Sequence, residues 1–325
     1  MKTFNEITEI LSLEIEKLNW QKSPEGLYKP ISYVLSHGGK RIRPTLTLMA
    51  CNLFTDNLLP AIPAALGLEI FHNFTLLHDD IMDKAELRRG MPTVHQKWDD
   101  NTAILSGDVM QIVAYQLISE TPEKQLKHVL DLFSGTAIEI CEGQQYDVDF
   151  EHRNNVEADE YLEMIRLKTA VLLGCALKTG ALIGGSDFED AQLLYDFGLN
   201  IGLAFQLKDD LLDVYGNESI FGKKIGGDIL SNKKTYLLIQ SLNRAVGADR
   251  MELAALLNIS DENLAEEKIK GVTAIYNRLG VNKICEDKMN EFYCKAIAKL
   301  EKVGVQDNKK QELRKLAEKL MVRNE

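Results

Sequence analysis

Proline is missing from most of this sequence: all seven prolines lie at or before Pro122, and none follows in the rest of the 325 residues. Proline breaks helices and is tolerated mainly in their first turn, so a long proline-free stretch can be helical throughout. Strand-like alternation of apolar and polar residues between turns is nearly absent as well. The sequence therefore predicts an all-α fold.

An excess of positive charge is also missing, since the net charge at pH 7 is −11. Non-specific nucleic-acid binding and polybasic attachment to membranes need a basic surface, so we expect neither. The sequence contains no run of about 18 apolar residues, so we expect no membrane span. Its N-terminal residues lack the apolar core of a signal peptide. The five cysteines are odd in number and include no C-x-x-C pair. We therefore expect a cytoplasmic protein whose thiols are reduced and mostly buried in the core.

No proline-, glycine- or serine-rich linker divides the chain, so we expect residues 1–325 to form one domain, a single large helical bundle. The most apolar helices are predicted at residues 64–77, 170–182 and 193–212. The last two contain Gly174, Gly198 and Gly202, each costing about 1 kcal/mol relative to alanine inside a helix. Such a cost is accepted where another backbone approaches closely.

The acidic motif D-D-x-x-D occurs twice, and each copy follows an apolar helical segment. Residues i and i+4 lie on one face of a helix, so each copy presents a pair of carboxylates. The pairs are Asp79 with Asp83 and Asp209 with Asp213. Asp80 and Asp210 lie about 100° around the helix and are interpreted as orienting groups.

Paired carboxylates near the C-terminal end of a helix repel each other and oppose the helix dipole, so they need cations. Magnesium keeps several waters and commonly bridges one or two carboxylates to phosphates. The motifs therefore predict two Mg²⁺ sites. A solvated acidic face would explain one isolated copy better than two matching ones. EF-hand and zinc sites are excluded because neither a D-x-D-x-D-G loop nor an H-x-x-x-H pair is present.

Basic residues accompany both acidic motifs. Guanidinium groups and loop amides suit a diphosphate, although each cluster alone is equally a solvated turn. The clusters are Lys40, Arg41 and Arg43 after two glycines, Arg88 and Arg89 after the first motif, Lys223 and Lys233 after the second, and Lys168 at the start of an apolar helix. His72, two turns before Asp79, is either a core histidine or a phosphate ligand.

Together the carboxylate pairs, basic clusters and apolar helices predict a deep central cavity with a diphosphate-binding mouth and a dry interior. Magnesium would neutralise a departing diphosphate, so that its C–O bond ionises to an allylic cation. A second diphosphate held by Lys and Arg would place an alkene beside that cation, and exclusion of water would protect it.

The chain resembles the trans-isoprenyl diphosphate synthases, the polyprenyl synthetase family. The matching motifs run in the family's order from about residue 38 to 237. They are G-G-K-R-I-R-P at 38–44, H-x5-H-D-D-I-M-D at 72–83, R-R-G at 88–90, G-Q-x-x-D at 143–147, K-T at 168–169, F-Q-L-K-D-D-L-L-D at 205–213, G-K-x-x-G-x-D at 222–228 and N-K-K-T at 232–235.

The resemblance implies an all-α homodimer that joins isopentenyl diphosphate head to tail to an allylic diphosphate, with Mg²⁺ as cofactor. The six motif aspartates would bind magnesium and the allylic diphosphate. Contacts to the allylic substrate are implied for Arg88, Lys168, Thr169, Gln206, Lys223 and Lys233. Contacts to isopentenyl diphosphate are implied for Lys40, Arg43, His72 and Arg89.

Product length in this family depends on bulk before the first aspartate. Phe74, five residues before Asp79, is large, Thr75 is small, and the motif has no insertion. This combination resembles enzymes that make products of 15 to 20 carbons. Phe74 could equally be core packing, with the stop deeper on a neighbouring helix.

Three other functions remain as alternatives. A class I terpene cyclase would resemble N-D-x-x-S-x-x-x-E at the second motif, and the basic cluster at 38–44 also disfavours it. Head-to-head synthases are disfavoured for similar reasons. An inactive regulatory subunit of a heteromeric synthase tends to lose one acidic motif, and here both are intact.

Overall fold

The computed structural model describes residues 1–216 and 225–321, apart from the side chain of Glu262. Most of this described backbone is helical, which confirms the predicted all-α fold. The strands in these residues are β1 (Leu87–Arg88) and β2 (Met91–Pro92), which pair antiparallel as a small ribbon.

The helices follow one another through short connections. The first ten are α1 (Phe4–Glu16), α2 (Glu25–Ser36), α3 (Ile42–Phe54), α4 (Ile62–Met82), α5 (Val94–Lys97), α6 (Asp100–Ile118), α7 (Glu123–Glu151), α8 (Ala158–Ile165), α9 (Val171–Gly184) and α10 (Phe188–Tyr215). Later helices span Gly227–Leu230, Tyr236–Arg244, Gly247–Leu257, Ala265–Leu279, Val281–Lys302 and Asp307–Met321. Single 3₁₀ turns lie at Leu59–Ala61 and Glu262–Leu264.

The chain forms two compact units. Of the described residues, unit 1 takes those in Met1–Ser134, Cys175–Tyr195 and Val303–Glu312. Unit 2 takes those in Gly135–Gly174, Asp196–Lys302 and Leu313–Glu325. The single domain over residues 1–325 and its deep central cavity stay predictions.

In unit 1, the apolar helix predicted at residues 64–77 lies within α4. Pro63 stands in its first turn, where a missing N–H costs nothing, and the helix ends at Met82 with Asp83 as its C-cap. Buried side chains such as Leu66, Leu68 and Phe71 cover most of its surface. The interior position of α4 fixes where its C-terminal acidic motif emerges.

In unit 2, α8 continues into α9 through one π-helical turn, Arg166–Ala170. The sequence placed Lys168 and Thr169 at the start of a helix, and this was wrong, because they lie inside a continuous helical segment. Close packing was expected at Gly202 and is confirmed, since a Cβ there would lie 2.6 Å from Cα of Ala170.

One helical segment, Ala158–Gly184, is long and apolar enough to cross a membrane, and 72% of its apolar window is buried inside the protein. That burial is typical of a core helix. All five cysteines are thiols, and three of them are buried, as expected for thiols that mostly fill the core.

Candidate active site

The loop before α3 turns one of its three cations inward. Arg41 has φ 47°, and its guanidinium donates hydrogen bonds to Glu69 on α4 and to the carbonyl oxygen of Leu35. The side chains of Arg41 and Glu69 are 8% and 3% exposed. Because a buried pair is costly to break, Arg41 serves the fold of unit 1.

Arg43 and His72, which the resemblance assigned to one ligand, lie side by side in the structure. Nη1 of Arg43 lies 3.0 Å from Nε2 of His72. Burial, followed by the neighbouring charges of Arg43 and Arg89, holds the pKa of His72 well below its usual value, so the ring is neutral. Burial also lowers the pKa of Arg43 to about 10, which leaves it charged near pH 7. The guanidinium therefore donates to Nε2, and the imidazole proton resides on Nδ1.

Arg43 retains one unused donor for an anion. Its Nε is buried and meets no acceptor among the described residues. A buried donor without a partner costs free energy, and an anionic ligand removes that cost. This property distinguishes Arg43 from a surface arginine.

Arg89 lies close against the two glycines that precede Lys40. A Cβ on Gly39, whose φ is 131°, would lie 2.8 Å from the guanidinium of Arg89. The same guanidinium donates a hydrogen bond to the carbonyl oxygen of Gly38. The two glycines thus seat Arg89 beside the basic loop, with exposed Lys40 as the next residue.

The three aspartates of the first acidic motif differ in burial and in their contacts. Asp80 is 5% exposed and accepts a 2.6 Å hydrogen bond from Nε of Arg88. Burial raises the pKa of Asp80, while Arg88 opposes that rise. Asp79 is half-buried, with Oδ2 3.4 Å from Nη2 of Arg88, and Asp83 is exposed. The middle carboxylate is therefore held by the protein, and the i, i+4 pair lies nearer to solvent.

The predicted chain-length position faces an aromatic cluster in unit 1. Phe74 is buried, and its ring centroid lies 4.8 Å from that of His78 and 5.4 Å from that of Phe71. Phe71 in turn contacts Phe133 on α7 at 5.0 Å. Thr75 donates a hydrogen bond to the carbonyl oxygen of His72. Two further large side chains, Phe71 and Phe133, therefore pack behind Phe74.

In the second acidic motif, which lies in unit 2, the middle aspartate is again the most buried of the three. Asp210 is 3% exposed and accepts a hydrogen bond from the hydroxyl of Tyr161. Burial, and then the charge of Asp228, raise the pKa of Asp210 to about 8. Oδ2 of Asp213 accepts the backbone N–H of Asp228 at 3.0 Å. Asp209 and Asp213 form the i, i+4 pair of this motif.

Two predicted cations of unit 2, Lys168 and Lys233, lie near one carboxylate, that of Asp147. Its Oδ2 lies 2.7 Å from Nζ of Lys168 and 3.9 Å from Nζ of Lys233. Thr169 donates to Oε1 of Gln206 at 3.4 Å, so four predicted residues are neighbours here. The predicted Lys223 lies outside the described residues.

Glu69, Asp147 and Tyr161 complete these clusters without having been predicted. Glu69 is the one acidic residue in the apolar part of α4, which was a signal of a buried cation partner. Asp147 stands in the G-Q-x-x-D motif, which carried no assigned role. Tyr161 gave no signal because 49 residues separate it from Asp210.

The donor chemistry fits magnesium. Within residues 1–216 and 225–321 no group of three or more His, Cys, Asp or Glu side chains is preassembled around a metal position. Zinc and calcium usually take three or more protein ligands, whereas Mg²⁺ takes one or two carboxylates and completes its shell with water and phosphate.

The chain is similar to known proteins both in sequence and in structure. Residues 24–276 match the model of the polyprenyl synthetase family. The geranylgeranyl diphosphate synthase of Methanosarcina mazei is 43% identical over 228 residues, 70% of each chain. The geranylfarnesyl diphosphate synthase of Natronomonas pharaonis is 41% identical over 252 residues, 72% of this chain and 74% of that one. A crystal structure of a geranylgeranyl pyrophosphate synthase superposes with a TM-score of 0.95 at 43% identity, over 99% of both chains.

Proposed function

The chain belongs to the polyprenyl synthetase family and is a prenyltransferase that elongates prenyl chains, and from this premise we propose that it makes geranylgeranyl diphosphate. The reaction joins C4 of isopentenyl diphosphate to C1 of an allylic diphosphate, with loss of diphosphate and a proton. One observation carries the proposal: in both acidic motifs the middle aspartate is held by a protein group, Arg88 or Tyr161. The outer pair of each motif is more exposed than the buried middle aspartate, and we assign it to a cation.

The outer pairs, Asp79 with Asp83 and Asp209 with Asp213, would hold Mg²⁺. When bound, magnesium supplies charge neutralisation of the departing diphosphate. Asp80 and Asp210 orient the motifs from behind. Because Arg88 already contacts Asp79, its guanidinium adds positive charge beside the carboxylate that would hold Mg²⁺.

Isopentenyl diphosphate is assigned to the basic cluster of unit 1. Arg43 offers its unused Nε donor, and the guanidinium of Arg89 lies beside Gly38 and Gly39. Lys40 is exposed in the same loop. Neutral His72 holds the guanidinium of Arg43 in place through Nε2. This cluster needs no metal, since three cations match the charge of one diphosphate.

The allylic diphosphate is assigned to Lys168, Thr169, Gln206 and Lys233 in unit 2, with Lys223 added from the sequence alone. The ammonium groups of Lys168 and Lys233 converge on Asp147 from two different elements. They are thereby available to phosphate oxygens when the ligand enters.

A product of twenty carbons is favoured within the predicted range of 15 to 20. The buried Phe74 lies about one turn before the first motif on α4 and restricts the space there. Phe71 and Phe133 pack behind it and add further large side chains. The resemblance to named geranylgeranyl diphosphate synthases supports the upper end of the range.

A second copy of the chain is proposed as partner, and the cytoplasm as location. On α6 the side chains of Leu105 and Ile112, two turns apart, are 57% and 60% exposed. Large apolar side chains on one helix face favour burial in a homodimer. Light scattering of the purified protein tests this: the expected mass is twice the 36.6 kDa of one chain, and a monomer at assay concentration contradicts it.

Product analysis tests the function. The protein is incubated with labelled isopentenyl diphosphate, Mg²⁺ and dimethylallyl, geranyl or farnesyl diphosphate in turn, and the dephosphorylated prenols are sized. We expect a discrete twenty-carbon product. A cyclic hydrocarbon would support the terpene-cyclase alternative, and no elongation by folded protein would support the regulatory subunit.

A further inference from the structure

The π-helical turn Arg166–Ala170 is enclosed by two glycines of neighbouring helices in unit 2. A Cβ on Gly143 of α7 would lie 2.3 Å from the backbone nitrogen of Lys168. A Cβ on Gly202 of α10 would lie 2.6 Å from Cα of Ala170. Real Cβ atoms do not approach backbone so closely, so any side chain at either position must push the turn away.

The face of α7 that carries Gly143 also carries Asp147, one turn later. Its carboxylate receives the ammonium of Lys168 at 2.7 Å. The same helix face thus fixes Lys168 twice, at its backbone through close packing and at its side-chain end through an ion pair. The side chain of Lys168 is 22% exposed, so this pair is shielded from solvent more than a surface ion pair.

Hydrogen bonds also connect the π-helical turn to the second acidic motif. Thr169, the residue after Lys168, donates to Oε1 of Gln206, and Nε2 of Gln206 lies 3.5 Å from Oδ1 of Asp210. Single π-helical turns inside α-helices often occur at functional sites, because the extra residue redirects the side chains around it. Here the redirected residues are those assigned to the allylic diphosphate.

We propose that Gly143 and Asp147 are positioning residues for the allylic diphosphate, acting through the π-helical turn and through Lys168. The inference rests on the proposed function and adds to it the residues that hold its phosphate-binding lysines in place.

Charge supports the role of Asp147. Burial alone would raise the pKa of its carboxyl, but Lys233 and Lys168 together bring the pKa below its usual value. An ionised carboxylate between two ammonium groups offsets their mutual repulsion before the ligand arrives. A diphosphate then enters between cations that are already close together, so less of its binding free energy is spent on ordering them.

Gly143→Ala tests the packing half of the inference, and Gly135→Ala is its matched control. Both glycines lie on α7, but a Cβ on Gly135 would meet nothing within 4 Å. We expect Gly143→Ala to raise the KM for dimethylallyl diphosphate by about tenfold to a hundredfold, the range that follows a displacement of about 1 Å. The KM for isopentenyl diphosphate should stay within about twofold of wild type. Gly135→Ala should match wild type in both constants.

Asp147→Asn tests the electrostatic half and keeps the volume of the side chain, so it covers the case in which Gly143→Ala does not fold. Binding of the unreactive dimethylallyl S-thiolodiphosphate with Mg²⁺, measured by calorimetry, should weaken by about tenfold. Asp147→Glu should restore part of that affinity.

The outcomes separate the inference from the function on which it rests. A wild-type protein that forms no prenyl product contradicts the proposed function. An active wild type in which folded Gly143→Ala behaves like Gly135→Ala, or in which Asp147→Asn binds the analogue as tightly as wild type, overturns the positioning roles. Equal rises in both KM values would also overturn them, because a general loss of structure does not select one substrate.

Discussion

The hydroxyl of Tyr161 donates a hydrogen bond to Oδ2 of Asp210, and both side chains are buried. Arg88 plays the corresponding part for Asp80 in the first motif. In each D-D-x-x-D sequence the central carboxylate is therefore buried against a protein side chain, whereas the outer two are more exposed. Both copies of the motif thus have a fixed central aspartate and an outer pair that we assign to the cation.

Tyr161→Phe removes one donor from this buried pair while keeping the ring. An unmade hydrogen bond to a buried polar group costs about 1–3 kcal/mol, so we expect the free energy of unfolding to fall by that amount. Urea denaturation measures it, with an unchanged m-value showing that the folded state is otherwise intact. Tyr28→Phe, at a half-buried tyrosine of unit 1, is the control. Equal stability of the two variants would contradict the importance of the pair.

Arg41→Met leaves Glu69 buried without its cation. Breaking such a pair from one side costs about 3–5 kcal/mol, and we expect a loss of stability of that order. Lys29→Met is the matched control, because the ion pair of Lys29 with Glu25 is exposed, with side-chain exposures of 65% and 71%. If both variants unfold at the same denaturant concentration, Arg41 has no structural role and is available to a ligand.

His72 predicts a pH dependence of stability. Its pKa is lowered in the folded protein, whereas the unfolded chain takes up a proton near pH 6.5. The contribution of His72 is therefore complete above about pH 6.5 and is lost as the pH falls below it. The charged groups around His72 are Arg41, Arg43, Arg88 and Arg89, all of which oppose its protonation.

His72→Gln retains an acceptor for Arg43 and cannot titrate. Unfolding free energies of wild type and variant, measured from pH 5 to 8, should converge as the pH falls, because only wild type loses stability through His72. A constant difference between the two proteins over this range would show that the ring is not held neutral.

Phe74→Leu removes bulk above the aromatic cluster of unit 1 and keeps an apolar side chain. If Phe74 limits the product, prenols longer than twenty carbons should appear in the extracts of the variant. Phe188→Leu, at a phenylalanine that is 59% exposed, should leave the product unchanged. A product of wild-type length from Phe74→Leu would assign Phe74 to core packing and place the stop deeper, at Phe71 or Phe133.

Local pattern sufficed to predict much of the molecule. The proline-free stretch predicted helices, which the structure confirms. The resemblance assigned Arg43 and His72 to one ligand, and in the structure their side chains are in contact. These features depend on residues within one helix or on motifs that keep their order.

Other features depend on contacts that spacing does not encode. Arg41 stands in the same basic loop as Arg43, but its left-handed backbone turns it toward Glu69, 28 residues away. The π-helical turn at Lys168 arises because Gly143 admits its backbone, a fact that requires two helices in place. Tyr161 is an ordinary tyrosine in the sequence, and only tertiary packing brings it to Asp210.

The most direct test of the account compares prenyl transfer by wild type, Asp79→Asn and Asp209→Asn, using labelled isopentenyl diphosphate, farnesyl diphosphate and Mg²⁺. We predict a twenty-carbon prenol from wild type and a rate reduced by at least about a hundredfold in each variant, since each loses a ligand that stabilises a charged transition state. Circular dichroism should show the helical fold of both variants intact. Wild-type rates from either folded variant would contradict the account of two carboxylate pairs acting on one reaction.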